Sequence, residues 1–223
     1  MTRIVKKPDE RKTEIMDSAE YFFNSKGFET TTVDEILQRI GVAKGTFYYY
    51  FKSKLEVLDA IIERQIDIGI TAIKQIVEQS DLKAIEKFRM IVTTVVHNND
   101  KESAVTDFLH KQENIVMHHK TLVQSIKKAA PLFTEVFRQG VEEKTFVTNY
   151  PQELSEILLI TMNLLFDSSV FSWNSNQHES RLRAMQDIFE TSLRVPGGTF
   201  SFIYEGFKDL PEQHLPHGRI QNY

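Results

Sequence analysis

The 223-residue chain contains no cysteine. That excludes disulfides, thiolate zinc sites, iron–sulfur clusters and cysteine nucleophiles, and makes a reducing compartment, the cytoplasm, the expected one. It also lacks an apolar run of the roughly 18 residues that a membrane span requires. The richest stretch, Ile157 to Phe166, is interrupted by Thr161 and Asn163, so no membrane partner is expected. The basic start, Met1 to Pro8, leads into a charged stretch rather than an apolar one, and no signal peptide is expected. Gly-x-Ser-x-Gly, P-loop and Gly-x-Gly-x-x-Gly motifs are lacking, so no residue is nominated as catalytic. There is no HExxH either. Asp107, His110 and Glu113 recur at steps of three with His118 and His119 further on, but polar residues at helical spacing usually mark a solvated face. Neither metal nor cofactor is expected.

Acids are missing from one place in particular. The net charge of −4 divides into +2 over residues 1 to 54 and −6 over the rest. Within the basic part, Ile36 to Lys54 carries Arg39, Lys44, Lys52 and Lys54 and not one acid. A footprint of that kind suits a polyanion.

Strand signals are absent as well. Apolar residues recur at steps of three and four and nowhere alternate in pairs, so the predicted fold is all-α. A first helix is predicted from about Asp9 to Lys26, with Gly27 beyond its end. Thr32 and Glu35 have the spacing of a capping box that opens a second helix, stopped by Gly41. Four residues later Gly45 to Phe51 begins a third, which must turn sharply against the second. A long fourth helix from about Ser53 carries Leu55, Leu58, Ile62, Ile66, Ile70, Ile73 and Val77 on one stripe, and is long enough to belong to two domains. Later helices are predicted from about Ser80 to His97, from Ser103 to Ala129, from a restart at Pro131 to Lys144, from Pro151 to Trp173, and from His178 to Arg194.

Two short helices joined by a tight glycine-containing turn form the arrangement used to dock in the major groove. The string from Thr30 to Leu58, TTTVDEILQRIGVAKGTFYYYFKSKLEVL, closely resembles the DNA-binding segment of the TetR family of bacterial transcriptional repressors. The resemblance covers the first 60 or so residues; beyond them it is architectural. It implies an N-terminal three-helix helix-turn-helix domain over residues 1–67, with the motif at about 32–51, and a larger helical ligand-binding and dimerisation domain over 68–223.

Each matching position has a chemical reason. Thr31 and Thr32 stand at a helix N-terminus, where amides and partial positive charge suit a DNA phosphate. Gly45 permits close approach to the groove, the Thr46 hydroxyl can reach a base or phosphate, and Lys44 can donate to guanine or phosphate. Phe47 and Phe51, four apart, should face inward, leaving Tyr48, Tyr49 and Tyr50 elsewhere. The resemblance implies that Tyr48 and Tyr49 touch DNA with Tyr50 beside them, and that Lys54 clamps a phosphate.

The expected function is therefore a sequence-specific regulator, a homodimeric repressor that binds a double-stranded DNA operator and responds to an unidentified small-molecule effector. The alternatives are a helical enzyme and a constitutive DNA-binding protein without effector. The nearly all-round apolar helix from Pro151 must be covered on every side. Leu154, Leu158 and Leu165, with Leu182, Met185, Phe189 and Leu193 on the last helix, are expected at the subunit interface. Phe108, Met117, Phe133, Phe137, Met162, Asn163, Phe166 and Asp167 are the candidate pocket lining. Phe200, Phe202 and Phe207 are expected to dock on the larger domain, either across the subunit interface or over the mouth of a pocket, and the segment with Pro211, Pro216 and Gly218 to be irregular.

Overall fold

A computed structural model describes residues 7–99, 104–167 and 169–207. The irregular segment expected after Phe207 and residues 1–6 of the basic start lie outside the described residues. All regular elements among the described residues are helical: α1 (Pro8–Lys26), α2 (Val33–Ile40), α3 (Lys44–Tyr50), α4 (Lys54–Val77), α5 (Ala84–Asn99), α6 (Ala104–Leu109), α7 (Ile115–Glu142), α8 (Pro151–Leu165), α9 (Ser175–Leu193) and α10 (Ser201–Phe207), with one 3-10 turn, Gln112–Asn114, before α7. None of these helices is long and apolar enough to cross a membrane.

The chain forms two compact units. The first comprises the chain up to Ile68 together with the later segment that ends at Ile115, and the second holds the rest. α4 contributes residues to both, and the first unit takes in α6, which the sequence division had placed with the larger part.

In the first unit α1 opens with Pro8 at its first position and Asp9 and Glu10 in its first turn, and closes with Lys26 in its last, as the helix dipole favours. Ile15, Ala19 and Phe23 are buried together with Ile36, Leu37, Phe47, Phe51, Val57, Leu58 and Ile61. Gly41 ends α2 at φ 66, a left-handed conformation that a side chain would strain, and its N–H returns to Leu37 and Gln38 carbonyls.

The second unit is organised by phenylalanine. The Phe88 ring meets Phe137, Phe200 and Phe202 nearly edge to face, with centroids 5.3–5.4 Å away, the geometry the ring quadrupole prefers. Phe200, Phe202 and Phe207 are all buried here, so the aromatic stretch after α9 belongs to the core of this unit. A carboxylate fastens it: buried Glu190 accepts from the Gly198 amide at 2.9 Å and the Phe200 amide at 2.7 Å.

Several predicted boundaries are corrected. The helix expected from Ser103 to Ala129 is broken after Leu109 by the 3-10 turn, and Pro131 opens nothing, since α7 runs through it to Glu142. Proline removes one helical N–H and crowds a carbonyl four residues back. Here its ring is exposed, and neighbouring Phe133, Val136 and Phe137 are buried, so packing holds the helix through the defect. α8 stops at Leu165 rather than Trp173, because the indole N–H of Trp173 turns back to the Leu165 carbonyl at 2.8 Å. α9 begins at Ser175, three residues before the predicted start, on a capping box between Asn174 and Gln177.

Candidate nucleic-acid interface

α2 is set by its cap. The Thr32 side chain accepts from the Glu35 amide at 3.3 Å, and Glu35 Oε2 accepts from the Thr32 amide at 2.9 Å and hydroxyl at 2.7 Å. Lys26 donates to Glu35 Oε1 at 2.6 Å. These bonds, that from Lys26 foremost and those from Thr32 next, pull the Glu35 carboxyl down to about 2. The Ser18 hydroxyl donates to the Ile36 carbonyl at 2.9 Å inside the core, tying α1 to α2.

α3 is anchored by Phe47 and Phe51, both buried with ring centroids 6.0 Å apart. That anchor decides what faces water. Lys44, Gly45, Tyr48 and Tyr49 are exposed, Tyr48 at 53% and Tyr49 at 78%. Thr46 and Tyr50 are half-buried, Tyr50 with its ring edge-on to Tyr49 at 4.8 Å. Two large exposed rings on a seven-residue helix are costly in water, on the order of 2 kcal/mol of forgone burial each. Lys44 reaches Asp34 on α2 at 3.1 Å, and that hydrogen bond raises its pKa and keeps it cationic.

Two residues expected on phosphate are occupied elsewhere. Thr31 is buried, and its hydroxyl donates to the Gly27 carbonyl at 2.8 Å. The Lys54 ammonium donates to the carbonyls of Phe28, Glu29 at 3.2 Å and Thr31 at 2.8 Å, and lies 4.3 Å from the Phe28 ring centroid. Three N–H groups on three carbonyls leave none for a phosphate. Partial burial pulls its pKa below the usual lysine value, opposed by Glu29. Thr32 stays exposed, but its hydroxyl serves the cap.

The positioning residues carry little local signal. Arg64 on α4 binds Asp17 and Glu20 of α1, each at 2.6 Å. The Arg39 guanidinium lies 3.5 Å from the Tyr21 ring centroid. Asp17 and Glu20 stand three apart on one helix face, which marks a cation's partner without saying which cation.

The candidate residues of the larger part separate in the same way. Leu182, Met185, Phe189 and Leu193, with Leu158, are buried in the second unit's own core, so these five are not an outer face. The large apolar residues exposed on these two helices are Ile157, Ile160 and Leu164 on α8 and Ile188 on α9; Leu154 and Leu165 are half-buried. Of the proposed pocket lining, Phe108 packs on Phe28 at 4.3 Å within the first unit, where α6 lies against α1. Phe133 and Phe137 fill the phenylalanine core. Asn163 donates to the Leu159 carbonyl at 2.8 Å within its own helix. Met117, Met162 and Phe166 are half-buried, Phe166 against His178 at 5.1 Å, and Asp167 is buried beside His118.

The family profile described as bacterial regulatory proteins, tetR family, matches residues 15–61, and the profile for a tetracyclin repressor-like C-terminal domain matches residues 94–188. The HTH-type transcriptional repressor KstR2 of Rhodococcus jostii (strain RHA1) is 27% identical over 148 residues, 65% of this chain and 72% of that protein. The HTH-type transcriptional activator FasR of Mycolicibacterium smegmatis (strain ATCC 700084 / mc(2)155) is 34% identical over 67 residues, 30% of this chain and 31% of its own length. At such identity the chain spans about a third of the relatives it matches. Among solved structures, a transcriptional regulator from Cytophaga hutchinsonii ATCC 33406 superposes with a TM-score of 0.61 at 18% identity, over 86% of this chain and 95% of that one. This last likeness is one of fold.

Proposed function

The chain belongs to the TetR family of bacterial regulatory proteins, and on that premise we propose that it is a sequence-specific DNA-binding regulator of transcription, acting as a homodimeric repressor that a small-molecule effector releases. The observation that carries the reading is α3: Phe47 and Phe51 are sunk in the core while Lys44, Gly45, Tyr48 and Tyr49 stand exposed on a helix too short to need them for its own stability. Lys44 and Thr46 are the donors placed for base edges or phosphate, Gly45 permits close approach, and the two tyrosines supply flat contact area with a hydroxyl at the tip. Tyr50 supports Tyr49. Thr32 contributes through the N-terminus of α2 rather than through its committed hydroxyl. Thr31 and Lys54 are positioning residues in this reading and leave the contact set.

Reading two half-sites takes two copies of α3 about 34 to 36 Å apart. The face that would join the copies is the exposed one, Ile157, Ile160 and Leu164 of α8 with Ile188 of α9. Apolar side chains clustered on one outer surface favour a partner. A ligand that prefers a state with the wrong spacing would empty the operator by population shift. Repression follows most simply from occupying promoter DNA.

The test is fluorescence anisotropy on duplexes tiled across the chromosomal region beside the gene. Nanomolar, salt-dependent binding to one duplex is expected, weakened at least tenfold by Tyr48→Ala with Tyr49→Ala. No duplex bound more tightly than random sequence would overturn the reading. For the dimer, Ile160→Glu with Ile188→Glu should give monomers in light scattering, and a monomeric wild type at micromolar concentration would overturn that part.

A further inference from the structure

A carboxylate on a face that meets DNA is repelled by every phosphate there. Yet Asp34 stands exposed in the first turn of α2, just before the acid-free run that begins at Ile36. Its neighbour Glu35 is committed to the Thr32 cap and to Lys26. Asp34 takes no part in the cap. Its Oδ1 meets the Lys44 ammonium, on the first residue of α3, at 3.1 Å. Of the other cations in that run, Arg39 lies on the Tyr21 ring and Lys54 on loop carbonyls. Among the described residues, Lys44 is the one of the run that forms a salt bridge. An ion pair this exposed adds little to stability, so its consequence lies in the charge and position of Lys44.

An ammonium has three N–H groups. With one on Asp34, two remain, as many as guanine O6 and N7 accept from a bidentate lysine. Lys44 can therefore read a guanine without leaving its carboxylate. Moving to a backbone phosphate has a different result, because it strips Asp34 of its partner and leaves a bare negative charge against a polyanion. At longer range the pair shows phosphates almost no net charge. We propose that Asp34 is a specificity-determining residue, which holds Lys44 for a guanine edge in the major groove and cancels most of that lysine's attraction to phosphate. Random DNA then gains little from Lys44, whereas an operator with guanine at the right place keeps the full contact. The inference rests on the regulator reading, with α3 at the DNA. In the sequence the role is hidden, since an acid in the first turn of a helix looks like a partner for the helix dipole.

The test measures anisotropy of the full chain, at several salt concentrations, on the best-bound duplex of the tiled set and on a random duplex. Asp34→Asn should bind random DNA about threefold more tightly or better, and its salt slope there should steepen by up to about one unit, as a freed cation requires. Operator affinity should rise less or fall, so the preference for operator shrinks. In a Lys44→Met background the same change should do far less, because no lysine is left to free. Glu135→Gln, which removes an exposed charge from α7, should leave preference and slope near those of the wild type. Circular dichroism checks the fold of each variant. Preference and slope unchanged in Asp34→Asn, or an effect as large in the Lys44→Met background, would overturn the proposal, the second by reducing Asp34 to plain repulsion. A wild type that prefers no duplex overturns the regulator reading instead, so the two failures are distinguishable.

Discussion

The two units use aromatic residues in opposite ways. In the first, α3 spends five consecutive aromatics on a split: Phe47 and Phe51 inward, Tyr48 and Tyr49 outward, Tyr50 between. In the second, Phe88, Phe133, Phe137, Phe146, Phe200 and Phe202 are all buried and largely edge to face. The first unit fastens its helices with long-range polar bonds, from Ser18, Lys54 and Arg64. The second fastens them mainly by apolar packing. Ring type and helix face go together: the inward positions of α3 and the core of the second unit take phenylalanine, whereas the outward positions of α3 take tyrosine, whose hydroxyl tolerates water.

That contrast can be broken most severely at Phe88. Replacing it with Ala removes the ring that four others meet and should destabilise the chain by about 3–5 kcal/mol. Tyr49→Ala should move the melting midpoint by little, within about 0.5 kcal/mol for an exposed site, while weakening DNA. Equal melting of the two variants in denaturant would erase the distinction.

Gly140 is a sharper probe of the same core. A Cβ there would stand 2.1 Å from Phe146 Cδ2, and the Phe146 ring is itself buried. Gly140→Ala should cost about 1–3 kcal/mol through overpacking. Wild-type stability would mean that the ring moves freely and the core is looser than its geometry says.

Lys54 tests the polar side of the comparison. As a brace on three carbonyls, its loss in Lys54→Met should lower stability by about 1–3 kcal/mol and weaken DNA binding without changing the dependence on salt. As a phosphate clamp, it would reduce the salt slope by about one unit instead. Anisotropy at several salt concentrations separates the two.

The smallest effect concerns Glu35. Its folded pKa of about 2 lies below the ordinary 4.5. A depressed carboxyl contributes stability that is present above 4.5 and lost as the pH falls toward 2. Glu35→Gln should remove that contribution at pH 7, a small loss for an exposed carboxyl, and flatten the stability profile between 4.5 and 2. An unchanged acid limb would show that Glu35 is held no more tightly in the folded chain than in the unfolded one.

Much of the first unit is legible in the chain. Thr32 and Glu35, Gly27 and Gly41, and the Phe47–Phe51 pair act on neighbours within a few residues, and their spacing carries their meaning. The fate of Lys54 is not legible, because its partners lie 23 to 26 residues earlier in a loop whose carbonyls happen to converge on it. In the larger unit the period of α9 reveals a stripe, Leu182, Met185, Phe189 and Leu193, but not whether it faces its own core or a second copy. Both bury apolar surface, and periodicity is blind to which body covers it.

The sequence by itself determined that the chain is helical, where its first helices start and stop, and which two of five aromatics hold α3, since caps and periods are local and need no knowledge of the rest of the chain. Only the tertiary structure decided that α7 passes through Pro131, that α6 packs with the N-terminal unit, that the residues after Gly198 return to the core under Glu190, and that His118 meets Asp167. Each of these depends on atoms far apart in the chain, brought together by burial, which no pattern of near neighbours encodes.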